Sequence, residues 1–152
     1  LLDFDSMRIR EGEKLREDVL NRLSIIESLV SRVEEESPKT VAEYRARLES
    51  KMSEVLGSAG IDENRILAEA AIFADHIAVD EETVRLRSHM SQLGSMVKGA
   101  SPIGRKMDFL IQEFNREANT IGSKCQNSDI AHIVVDIKSE IEKIREQIQN
   151  IE

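Results

Sequence analysis

Ile130, Val134, Ile137, Ile141, Ile144, Ile148 and Ile151 recur at alternating intervals of four and three residues. That spacing puts them all on one side of an α-helix, and charged and amide residues fill most of the remaining surface. Isoleucine at both seam positions is unusual for an isolated two-stranded coil and favours packing into a larger bundle. The segment therefore has to lie along other helices, of this chain or of another.

The rest of the chain reads as five further helices. The first covers about residues 5 to 36, with Leu15, Val19, Arg22, Ile26, Leu29 and Val33 forming a heptad-like seam that one arginine interrupts. Ser37-Pro38 is expected to end it, because proline breaks a helix interior but suits a first turn. The second helix, about residues 38 to 56, carries Val41, Tyr44, Leu48, Met52 and Val55 on one side. So short a turn between two long helices predicts an antiparallel hairpin over residues 1–60. Gly57 and Gly60 separate it from a bundle region, residues 61–152.

In that region Asp62 is the expected N-cap of a third helix that turns Ile66, Ala70, Phe73, Ala74 and Ile77 inward. Asp80 is the expected N-cap of a fourth, which ends before Gly99, with Glu81 and Glu82 on its positive end. Ser101-Pro102 starts a fifth, to about Ser123, and Asn127-Ser128-Asp129 starts the terminal one. No strand pattern competes, so the fold class is all-α: a helical bundle with a long antiparallel hairpin and a heptad-patterned terminal helix.

Composition narrows the function classes. Net charge is −8, so binding to nucleic acid requires a local basic patch. Aromatics are 3% of the chain, which argues against a platform of several exposed rings for single-stranded bases. The lone Cys125 excludes an internal disulfide and fits a reducing compartment. No apolar run is long enough to span a bilayer, so no membrane partner is expected. The chain starts at Leu1 and enters a helical pattern at once, as expected of a piece of a longer polypeptide.

Two places carry chemistry. On the fifth helix Ile103, Met107, Leu110, Ile111, Phe114, Ala118 and Ile121 form the apolar stripe. Arg105, Gln112, Arg116, Asn119 and Ser123 lie opposite, with Asp108 and Asn115 along one flank. Asparagine is a poor helix former, and Gln, Asn and Arg together can donate to phosphates or base edges. An inter-subunit hydrogen-bonding face explains the same pattern equally well. The second place is residues 69–89, where Glu69 and His76, and again Glu82 and His89, are seven apart, with Asp75, Asp80 and Glu81 nearby. Carboxylates with an imidazole can hold a divalent cation or transfer protons. The spacing matches no short metal signature, and capping also accounts for Asp80, Glu81 and Glu82. There is no Gly-rich phosphate loop and no nucleophilic triad pattern.

At these residues the chain resembles the YicC family. The segments concerned are Met7-Arg-Ile-Arg-Glu-Gly-Glu-Lys-Leu15 with Asp18-Val-Leu-Asn-Arg-Leu23, and Ala74-Asp75 with Glu81-Glu82 and Arg85-Leu-Arg-Ser-His89. The most specific is Gly104-Arg-Lys-Met-Asp-Phe-Leu-Ile-Gln-Glu-Phe-Asn-Arg-Glu-Ala-Asn-Thr-Ile-Gly-Ser-Lys124, continued by Glu142-Lys-Ile-Arg-Glu-Gln-Ile-Gln-Asn-Ile-Glu152. The chain departs from the family's common Ala-Asp-Lys-x-Asp-Ile-x-Glu-Glu pattern at His76 and Ala78.

The resemblance implies a bacterial cytoplasmic protein of a class long called stress-induced, and a homo-oligomeric, metal-dependent endoribonuclease acting on single-stranded RNA. It also implies an N-terminal α/β domain that this chain does not contain. On that reading Glu82, His89 and Asp75 are the catalytic candidates, and Glu69, Asp75, Glu82 and His89 are the candidate ligands of Mg²⁺ or Mn²⁺. Arg105, Asn115, Arg116, Asn119 and Lys124 are the candidate RNA contacts. The competing expectation is a non-catalytic oligomerisation and RNA-clamping scaffold whose chemistry depends on the N-terminal domain.

Overall fold

The computed structural model describes residues 2–56, 62–99, 104–125 and 127–151, and all of its regular structure is helical. Five helices follow in order: α1 Leu2–Leu56, α2 Glu63–Ile77, α3 Asp80–Lys98, α4 Gly104–Lys124 and α5 Ser128–Ile151. Gly57, Gly60, Ser101, Pro102 and Ile103 lie outside the described residues, as does the side chain of Ile151.

The break expected at Ser37-Pro38 is not formed, and the first two expected helices are one helix of 55 residues with Pro38 inside it. Proline removes one backbone hydrogen bond and crowds one carbonyl, a cost of about 3 kcal/mol. Packing on both sides of Pro38 outweighs it. Val30 and Val33 are fully buried before it, and Thr40 is buried after it, where its hydroxyl accepts from Asn127 Nδ2 at 3.0 Å. The fold-back comes instead from α2. Tyr44 and Phe73, at similar distances from the connection between α1 and α2, stack on each other, so those helices run antiparallel. Val55, expected on the packed side, is exposed.

The middle of α1, α3, α4 and α5 close a ring in which each helix packs on two antiparallel neighbours. Along α1 and α5, Gln147 reaches Asp18 and Asn127 reaches Thr40, so α5 covers about 22 residues of α1, or roughly 33 Å at 1.5 Å per residue. The terminal seam is satisfied within the chain: Ile137, Ile141, Ile144 and Ile148 are fully buried, with Ile130, Ile133 and Val134 nearly so. Arg22, the interruption in the α1 seam, lies at its edge, 2.9 Å from both Glu140 and Asp18. On α4 the backbone at Gly122 approaches α5 so closely that a Cβ there would stand 3.3 Å from Val134.

Caps set the phase of the shorter helices. Asp62 accepts from the amides of Asn64 and Arg65, as expected of an N-cap. Asp80 does not cap α3. Buried Val79 holds that position, and Asp80 is the first helical residue. Asp80, Glu81 and Glu82 nonetheless occupy the first turn, where the helix dipole favours carboxylates.

Candidate active site

On α3 the spacing of Glu82, Arg85 and His89 by three and four residues turns all three toward α4. Antiparallel packing sets each against a residue of α4. Lys124 Nζ donates to Glu82 Oε1 at 2.7 Å, Arg85 Nε donates to Glu117 Oε1 at 2.8 Å, and His89 Nε2 lies 3.9 Å from Glu113 Oε2. Lys124 also donates to the Ala78 carbonyl at 3.2 Å, which ties the end of α4 to the α2–α3 junction. Glu82 and Glu117 are buried, an unusual place for carboxylates in a bundle of isoleucine and leucine.

Burial alone would raise the Glu82 carboxyl. The bond from Lys124, the helix backbone, and the charges of Lys124 and Arg85 outweigh it and hold the group below its ordinary value. Arg85 serves three carboxylates, lying 2.8 Å from Glu117, 3.6 Å from Glu81 and 3.7 Å from Glu82. Among the described residues two buried side-chain atoms lack any hydrogen-bond partner: Glu82 Oε2 and His89 Nδ1. The second leaves a half-buried imidazole with no hydrogen bond at either nitrogen, since 3.9 Å is too long for one.

His89, Glu113 and Glu117 each offer one donor atom, and those atoms all lie within 4.8 Å of one another. Among the described residues this is the group of three potential ligands that converges. One imidazole nitrogen and two carboxylates suit a divalent cation such as Mn²⁺ or Mg²⁺. An imidazole whose nitrogens are not taken up by hydrogen bonds is free to offer one to such a cation. Beside the cluster opens a hollow of about 500 Å³, lined by Arg85, Glu113, Arg116, Glu117 and Thr120.

The structure gathers some of the expected site residues and scatters others. Glu82 and His89 share the side of α3 that faces α4. Glu69 and Asp75 are exposed on α2, outside the converging group. Arg116 borders the hollow with its side chain 76% exposed. Asn119 is exposed one turn further on and Asn115 is half-buried. Arg105 is exposed near the start of α4, and Lys124, at its other end, is engaged by Glu82. Glu113, Glu117 and Arg85 escaped the sequence reading as site residues. A signal existed for Glu117: it immediately precedes Ala118 and follows Leu110 by seven, so it borders the apolar stripe, where a charge has no solvation reason to be.

The profile of the family described as endoribonuclease YicC-like, C-terminal, matches residues 33–152. A protein of Clostridioides difficile strain 630 named "Probable endoribonuclease YicC" is 48% identical over 153 residues, covering all of this chain and 52% of the relative. One of the same name from Haemophilus influenzae is 39% identical over 152 residues, again covering all of this chain and 52% of the relative. The chain thus spans about half the length of both.

Proposed function

The chain belongs to the YicC-like endoribonuclease family, in its C-terminal part, and from that premise we propose that the α3–α4 cleft is the metal-dependent site at which single-stranded RNA is cut. The observation that carries this reading is the convergence of His89, Glu113 and Glu117 beside a hollow flanked by two guanidinium groups. His89, Glu113 and Glu117 would hold the divalent cation, which supplies Lewis-acid polarisation of a phosphoryl oxygen or a more acidic water.

The chain's own residues do the rest. Exposed Arg116, with Asn119 beyond it, donates to the phosphate backbone, and a guanidinium suits that task because its planar donors match phosphate oxygens. Arg85, now bonded to Glu117, is the second cation at the hollow. Glu82 and Lys124 act at one remove: their ion pair, buried at the Glu82 end, fixes the register of α3 on α4 and so the height of His89 opposite Glu113. Asp75 and Glu69 take no part in this arrangement. No helix among the described residues is long and apolar enough to cross a membrane. Assembly into a homo-oligomer would cover exposed apolar side chains such as Phe109 and Val84.

Two measurements test the reading. Mn²⁺ binding to this chain, followed by calorimetry, should be lost in His89→Ala and Glu113→Gln. Cleavage of a single-stranded oligoribonucleotide by the full-length protein should fall at least a hundredfold in the same variants. Undiminished cleavage would remove the cleft from the chemistry. Cleavage by the full-length protein, with the 152-residue chain inert yet still binding RNA, would favour the clamping scaffold.

A further inference from the structure

Beyond Thr40, where α5 ends its cover of α1, the C-terminal arm of α1 is packed by α2 and leaves a hollow of about 460 Å³. Tyr44, Arg47, Leu48, Lys51 and Phe73 line it. Tyr44 is the chain's one tyrosine, and its ring lies parallel to that of Phe73, centroids 3.9 Å apart and planes 12° from parallel. Both rings are half-buried, so the pair has one side in the protein and another toward the hollow. Arg47 and Lys51, one and two turns along α1 from Tyr44, are exposed and have no carboxylate within ion-pair distance among the described residues.

We propose that this hollow is a second RNA subsite, which takes one unpaired base against the Tyr44–Phe73 pair and its flanking phosphates on Arg47 and Lys51. Packing of α1 on α2 explains why the rings touch. It does not explain why two cations stand unneutralised around them in a chain whose net charge is −8. An aromatic surface ringed by unpaired cations is the chemistry that binds single-stranded nucleic acid without regard to sequence. The scarcity of aromatics, which argues against a platform of many rings, is met here by bringing two distant ones together.

The placement fits a holding role. Arg87, two residues before His89, bonds Ser31 and Glu34 of α1, so Tyr44 lies ten or more residues further along that helix. That is roughly 15 to 20 Å at 1.5 Å per residue. A strand seated on the arm is thereby held a few nucleotides from the cleft. The inference rests on the RNA reading above.

The test compares an oligouridylate with an abasic oligoribonucleotide of equal length, by fluorescence anisotropy on the 152-residue chain. The parent should prefer the base-bearing probe by about tenfold, the scale of one stacked base. Tyr44→Leu/Phe73→Leu should erase that preference. Arg47→Gln/Lys51→Gln, which touches only exposed side chains, should weaken both probes several-fold without changing the melting temperature. An oligoribonucleotide carrying 5-iodouridine should photo-crosslink to peptides containing Tyr44 or Phe73. Equal affinity for the two probes, or variants that bind as the parent does, overturns the subsite. If binding then responds to Arg116→Gln instead, the cleft reading stands without the arm; if the parent binds neither probe, both fall.

Discussion

Two antiparallel seams of the same bundle are built from opposite chemistry. Between α1 and α5, isoleucine and valine are buried in successive turns and the charged residues, Asp18, Arg22 and Glu140, stay at the edge. Between α3 and α4, Glu82, Glu117 and most of the His89 side chain are taken out of water, and two polar atoms find no partner. The first arrangement is what stability alone selects, because apolar burial contributes about 25 cal/mol per Å² with no desolvation cost. The second carries that cost for every buried carboxylate, so it needs a reason other than stability. On the proposed reading, the dry seam holds the molecule together and the wet seam is where RNA is cut.

Ile141→Asp breaks the comparison at its dry side and has the largest expected effect. It places a carboxylate in a fully buried position with no cation beside it, a loss of about 4 kcal/mol or more. Thermal melting should show a collapsed or absent transition, and size-exclusion an expanded or aggregated chain. A melt equal to the parent's would show that the seam does not hold the bundle.

Lys124→Met comes next and probes the wet side. It removes the cation and leaves the Glu82 carboxylate buried without its close partner, at a cost of about 3 kcal/mol in urea unfolding. Adding Glu82→Gln should recover part of the loss, since the pair matters less than the stranded charge. Equal stability of the single and double variants would mean that Arg85, 3.7 Å away, already neutralises Glu82.

How much of this was legible in the sequence follows the same division. Periodicity reports apolar faces, so Ile137, Ile141 and Ile144 on α5 and Met107, Phe114 and Ile121 on α4 could be placed on their buried sides from spacing alone. Pro38 misled because its local cost is real, whereas the packing that outweighs it is tertiary: the buried Thr40 is held by Asn127, just ahead of α5 and 87 residues away. The wet seam was half legible. The seven-residue interval of Glu82 and His89 showed that they share a side, but which helix faces that side is a tertiary fact. Only the pairing of α3 with α4 brings Glu113 and Glu117 to His89, and sends Glu69 and Asp75 elsewhere. The stack of Tyr44 on Phe73 was hidden for the same reason.

Acid should separate the seams more gently. The Glu82 carboxyl is held below its ordinary 4.5 in the fold, so its ionised form is favoured there over the unfolded chain. Its contribution is therefore complete above pH 4.5 and is lost as the pH falls through the lower folded value. In Glu82→Gln the urea midpoint should fall less between pH 6 and pH 3 than in the parent. Asp18 is displaced in the same direction: burial opposes the shift, and hydrogen bonds from Gln147 and Arg22 outweigh it. Acid sensitivity that persists in Glu82→Gln would therefore be traced to the α1–α5 edge, by repeating the titration in Asp18→Asn.

The smallest expected change in stability is the one that bears most directly on the proposed metal site. His89 is 18% exposed at its side chain, its Nδ1 is buried, and neither ring nitrogen makes a hydrogen bond. Replacing an unpartnered polar group by an apolar one of similar size removes a desolvation cost and breaks no bond, so His89→Leu should alter stability by about 0.5 kcal/mol or less, or raise it. A histidine kept for packing would lose stability on that change and leave Mn²⁺ binding untouched. One kept as a ligand shows the reverse: an unchanged or higher melting temperature without metal, and a parent that gains stability with added Mn²⁺ where the variant gains none. Measured together, the two melts decide whether the unpartnered imidazole of the wet seam is a defect of packing or a ligand of the proposed site.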